Sequence, residues 1–121
     1  MTAEVAILNR NAIAMAADSA VTLQLPTGPK IYETRKLFML SKYEPVGIML
    51  YGSASFMDVP WETIIKTYRG QLGKSSFSSL EDYGQDLLSF VRSERRLFPS
   101  IAQNACSYRF AGYWMRTLKN I

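Results

Sequence analysis

At 121 residues the chain has room for one domain or part of one, and its 48% hydrophobic and 20% charged content is that of a globular protein, not a disordered one. The net charge of +4 is scattered; its densest basic cluster, Arg92, Arg95 and Arg96, sits beside Glu94 and reads as a solvated helix face, so nucleic acid is not an expected partner. Histidine is absent, which excludes Ser-His-Asp and Cys-His centres and any histidine-containing metal site. The lone Cys106 cannot form an internal disulfide and reads as a core residue in a reducing compartment, so a cytoplasmic location is expected. No run approaches the roughly 18 apolar residues of a membrane span. Ala12 to Ala17 is too short for the apolar region of a signal peptide, and Glu4 stands where a positive charge belongs.

The first half reads as strands. Val5 and Ile7 alternate with variable positions, Asn9-Arg10-Asn11 supplies turn chemistry, and Ala12 to Ala17 form a second strand. That second strand is so uniformly apolar that burial on both faces is expected. Residues 24 to 34, with Pro26, Gly28 and Pro29, read as a loop. Lys36 to Leu40 and Val46 to Tyr51 then form another strand pair, joined through Lys42-Tyr43-Glu44-Pro45 and closed by Gly52 and Ser53.

Helices follow from about residue 58. Asp58-Val59-Pro60-Trp61 combines a capping Asp with a first-turn Pro, and Trp61, Ile64, Ile65, Tyr68 and Leu72 share one face until Gly70 to Ser76 break the pattern. Ser79-Leu80-Glu81-Asp82 opens a second helix with a buried stripe of Leu80, Tyr83, Leu87, Leu88 and Val91. A third starts at Pro99-Ser100, with Gln103 in capping-box spacing, and runs through Ile101, Ala105, Tyr108, Ala111, Trp114 or Met115, Leu118 and Ile121. Its aromatic residues Tyr108, Tyr113 and Trp114 read as core or interface. The fold class expected is α+β, antiparallel strands over about 3–51 followed by helices over about 58–121, in a single domain. The last helix is apolar up to the final residue, so a chain cut from something longer is also an expectation.

Four positions carry a chemical pattern. Thr2 follows the initiator methionine, Ala17-Asp18-Ser19 ends the second strand, Lys36 heads an apolar strand, and Tyr51-Gly52-Ser53 precedes the first helix. Taken singly, Asp18 is a turn residue, Lys36 an edge charge and Gly52 a turn; Arg35 or Lys30 could also claim the lysine's place. In order and spacing, over roughly residues 2 to 95, the set resembles the N-terminal half of proteasome β-subunits and bacterial proteasome-like peptidases, a family of threonine N-terminal-nucleophile hydrolases. Tyr51 stands where that family has a small residue.

The resemblance implies the N-terminal half of a four-layer αββα sandwich. It also implies amide-bond hydrolysis of peptides or proteins by a homo-oligomer, without metal or cofactor. Thr2 would be the nucleophile once Met1 is removed, its own α-amino group (pKa about 8) serving as base. Asp18 would hold Lys36 charged and oriented, and the Gly52 backbone N–H would meet the oxyanion. The family's second half, with its supporting Asp and Ser, has no counterpart in this sequence. The alternative from a different class is a non-catalytic, proteasome-like structural or interaction protein; a small nucleic-acid-binding module ranks third.

Overall fold

The computed structural model describes residues 3–119; side chains within that span whose placement is left open include Trp114 and Leu118. Thr2 and Ile121 lie outside the described residues. Strands precede helices, as the patterning predicts: β1 (Glu4–Leu8), β2 (Ile13–Ala17), β3 (Ala20–Leu25), β4 (Gly28–Glu33), β5 (Leu37–Met39), β6 (Gly47–Met49), β7 (Ser55–Phe56) and β8 (Val59–Pro60), then α1 (Trp61–Leu72), α2 (Leu80–Ser93) and α3 (Ser100–Lys119). The strands pair in sequence order as four antiparallel hairpins.

The β1–β2 turn is built by Asn9, whose side-chain oxygen accepts from the backbone N–H groups of Asn11 and Ala12, both at 2.8 Å. Burial of the second strand on both faces does not hold. Ile13 is 56% exposed, and only Met15 and Ala17 of β2 are half-buried. Among the described residues the strand meets a neighbour on one side only, where Met15 packs against β6: a Cβ on Gly47 would lie 3.1 Å from the Met15 sulfur.

Residues 24–34 are not a loop. β3 and β4 pair from Ala20↔Glu33 to Leu25↔Gly28 around the turn Pro26-Thr27. The Thr34 N–H bonds the Ser19 carbonyl at 2.7 Å, which fixes the alternation of the ladder. It places Pro29, opposite Gln24, at a non-hydrogen-bonded position where its missing N–H is not needed. The turn and both prolines belong to a hairpin, and β-branched Thr22 and Ile31 fit its strands.

β5 and β6 form with the predicted connection, closed by Ser41, whose hydroxyl accepts from the Tyr43 and Glu44 N–H groups at 3.1 Å each. Asp58 does not cap α1. Met57 and Asp58 both have positive φ, 50° and 65°, and turn β7 into β8; Pro60 is the N-cap residue, without a side-chain cap bond. Short strands therefore continue to Pro60, nine residues beyond the expected boundary at about 51. Helix α1 runs through Gly70 and ends at Gly73.

The core is Phe38, Leu40 and Val46 from the β5–β6 hairpin, Ile64, Ile65, Tyr68 and Leu72 from α1, Tyr83, Leu87 and Phe90 from α2, and Phe98. The predicted α1 face is the buried one. In α2 the Ser79 cap forms, accepting from the Asp82 N–H at 3.1 Å, but the stripe is rotated: Phe90 is buried whereas Leu80 and Leu88 are 69% and 49% exposed. Helix α3 does not supply a core stripe. Ile101 and Tyr108 are 84% and 79% exposed, Tyr113 is exposed, and Cys106 is half-buried. Its bonds to the body include an exposed ion pair from Arg109 to Asp58 at 2.8 Å. Among the described residues no helix is long and apolar enough to cross a membrane.

Candidate active site

Strand alternation aims Lys36 inward. Arg35, Leu37 and Met39 are exposed, whereas Lys36, Phe38 and Leu40 are buried, so a charged residue shares a face with the core. Its ammonium group donates to Asp18 Oδ1 at 2.6 Å and to the Ala20 carbonyl at 2.7 Å. Burying an ammonium carries a desolvation cost of several kcal/mol, which such close partners must offset. The side chain of Lys36 is 5% exposed and that of Asp18 31%. Neither rival takes this place: Arg35 is exposed on the cleft rim, and the Lys30 ammonium stands over the Tyr32 ring at 5.0 Å.

Asp18 is held from its other side by the start of β1. Its N–H donates to the Ala3 carbonyl at 2.9 Å, continuing the β1–β2 ladder by one rung. The hydrogen bond from Lys36 holds the Asp18 carboxyl below its usual range; burial opposes this, while the Lys36 charge and a backbone bond from Ala3 assist it. The carboxylate is thus ionised beside a buried cation, next to the residue that follows Thr2 in the sequence.

Gly52 approaches from β6. The Leu50 N–H bonds the Lys36 carbonyl at 2.8 Å, extending the β5–β6 ladder, and Gly52 follows two residues later with φ 85°. That left-handed backbone favours glycine. Gly52 and Lys36 line one small cleft of about 50 Å³ together with Ser53, Trp61 and Glu62. On the other side of Lys36 lies a wider cleft of about 660 Å³, bounded by Asp18, Ser19, Glu33, Arg35 and Glu62.

Three of the four expected site residues, Asp18, Lys36 and Gly52, are therefore brought together; Thr2 lies outside the described residues. Sequence reasoning missed Glu33 and Glu62 at the cleft. Glu33 fell in a stretch read as loop, and Glu62 lies in the first turn of α1, where no chemical pattern in the sequence singles it out. Glu62 pairs with Lys66 at 2.7 Å, and that bond lowers its carboxyl pKa. No group of three or more metal-ligating side chains occurs among the described residues. No protein-family model, curated protein or solved structure matches the chain.

Proposed function

We propose that this chain is a threonine N-terminal-nucleophile hydrolase of the proteasome-like type, or the N-terminal half of one, cleaving amide bonds in peptides or proteins. The observation that supports it best is the pairing of buried Lys36 with partly exposed Asp18 at 2.6 Å, formed across 18 positions of sequence, Asp18 being bonded through its backbone N–H to Ala3 just before β1. A structural ion pair needs no such neighbour; a site built on an N-terminal nucleophile does.

In the proposed reaction Met1 is first removed. The Thr2 hydroxyl attacks the substrate carbonyl carbon, and its proton passes to the Thr2 amine. The Lys36 charge favours the deprotonated nucleophile, and Asp18 keeps that ammonium oriented. The Gly52 N–H stabilises the oxyanion of the tetrahedral intermediate. The amine leaves with the proton held by Thr2, and water then hydrolyses the ester, restoring the hydroxyl. The working form is a homo-oligomer in the cytoplasm, with the rest of an αββα sandwich closing over the exposed strands.

The test is hydrolysis of a fluorogenic peptide panel by protein whose first residue is Thr2. Turnover is expected to fall by at least about a hundredfold in Thr2→Ala and in Lys36→Met, the scale on which enzymes lose a nucleophile or a key charge. Turnover unchanged by Thr2→Ala refutes the mechanism.

A second reading, a non-catalytic interaction protein with the same fold, is favoured by the exposed apolar residues of α3: Ile101, Tyr108, Phe110, Tyr113 and Met115. It predicts retained Met1 and concentration-dependent assembly without hydrolysis. Intact mass and analytical ultracentrifugation decide between the two.

A further inference from the structure

A third cleft, of about 380 Å³, opens between α1 and α2 on residues that the proposed reaction does not use. Asp86 is among the residues that line it. One carboxylate oxygen accepts from the Tyr68 hydroxyl at 2.8 Å, and none of the ion pairs among the described residues involves this carboxylate. Tyr68 itself is 1% exposed, so an otherwise buried phenol ends in this cleft. Burial first, and then the bond to Asp86, pushes the Tyr68 hydroxyl well above its ordinary pKa, so it stays a donor to the Asp86 carboxylate.

The hydroxyls around it are also spent as donors. Ser89 donates to the Gln85 carbonyl at 2.8 Å, and Ser93 to the Phe90 carbonyl at 3.2 Å. Both therefore turn lone pairs toward the cleft, as the Tyr68 oxygen does. The remaining wall is apolar at Leu72, Phe77 and Phe90 and polar at Gln71 and Ser75. A carboxylate, acceptor oxygens and ring faces complement a group that has several N–H donors, a positive charge and a hydrocarbon tail. An anion would be repelled by the Asp86 carboxylate, and Gln71 and Ser75 can serve either as donors or as acceptors.

We propose that the α1–α2 cleft binds a primary alkylammonium group, seated on Asp86 with its carbon tail against Phe77 and Phe90. The head group donates one bond to the free lone pairs of Asp86 and others to Ser89 and Ser93. A lysine side chain and a free polyamine share this chemistry. The site is independent of the hydrolase reading.

The experiment is an NMR titration of the full chain, isotopically labelled, with n-butylammonium chloride at constant ionic strength, and with 1-butanol as the uncharged isostere. Saturable shifts are expected at the amides around Asp86 and Ser89, with affinity at least about tenfold weaker for butanol and for Asp86→Asn, as loss of one charge-assisted contact dictates. Asn retains an acceptor for Tyr68, so the fold should persist. Ser89→Leu, a change at an exposed helical position that fills the cleft, provides the same test should Asp86→Asn fail to fold. Shifts that do not saturate, or that are equal for butanol or for both variants, overturn the proposal. Tighter binding of a capped Gly-Lys-Gly peptide than of n-butylammonium assigns the head group to a protein lysine, and tighter binding of spermidine assigns it to a polyamine; each supports the site.

Discussion

Replacing Tyr68 by Phe removes one oxygen, at the cleft end of an otherwise buried ring, and nothing else. The ring stays in its edge-on contact with Phe90, 5.4 Å between centroids, and it is 1% exposed before and after by geometry. What is lost is the 2.8 Å bond to Asp86. A hydrogen bond to a charged acceptor contributes about 1.5–3 kcal/mol net, but Asp86 is half-buried and water can replace the phenol, so the expected loss is about 1–2 kcal/mol. With an unfolding entropy of about 2.1 cal/mol/K per residue, that corresponds to about 4–8 °C in melting temperature for a chain of this length. Urea titration should show a lower midpoint at an unchanged slope.

The same bond has a pH signature. The folded-state pKa of Tyr68 lies above its ordinary 10.0, so its contribution is fully present below pH 10.0 and is lost as pH rises further. The gap between wild type and Tyr68→Phe should therefore close in alkali. A gap that widens above pH 10.0, or a variant more stable than wild type at neutral pH, refutes the placement of this bond.

Glu94 makes the opposite acid-side prediction. Bonds from the Arg96 guanidinium and then the Arg96 backbone hold its carboxyl at about 2, below its ordinary 4.5, so stability present above pH 4.5 should drain away as pH falls toward 2; Glu94→Gln should flatten that part of an acid-unfolding curve. Gly52→Ala meets no atom within 4 Å but forces a Cβ into φ 85°, and should cost about 1 kcal/mol by chemical denaturation; a neutral result would mean that the turn relaxes. Asp18→Asn leaves a buried ammonium without its carboxylate, whereas Lys36→Met leaves a carboxylate that water reaches. Asp18→Asn should therefore melt at the lower temperature, and the reverse order would refute the burial asymmetry of the pair.

Local chemistry was legible wherever neighbours in sequence decide the outcome. The 3.6-residue spacing of Ile64, Ile65, Tyr68 and Leu72 marked the buried face of α1, and Ser79 marked the start of α2. Lys36 at the head of an apolar strand was legible, but by itself it read as an edge charge; with Leu37 and Met39 apolar as well, only packing shows that its face, with Phe38 and Leu40, is the buried one. Other features needed the tertiary structure. Pro26, Gly28 and Pro29 look like a loop until the β3–β4 register puts Pro29 where no N–H is required. Asp58 looks like a helix cap until the pairing of β7 with β8 places it in their turn, leaving Pro60 at the N-cap of α1.

The α3 stripe shows the same division. Its spacing says that the side chains are apolar, but burial depends on whether another surface lies against them, and none does at Ile101, Tyr108 or Met115. The candidate site divides likewise. The family resemblance, carried by order and spacing, selected Asp18, Lys36 and Gly52, while their convergence rests on two ladders, β1–β2 and β5–β6, extended by one rung each. Backbone pairing over long separations is set by register and packing, which no local run of residues encodes.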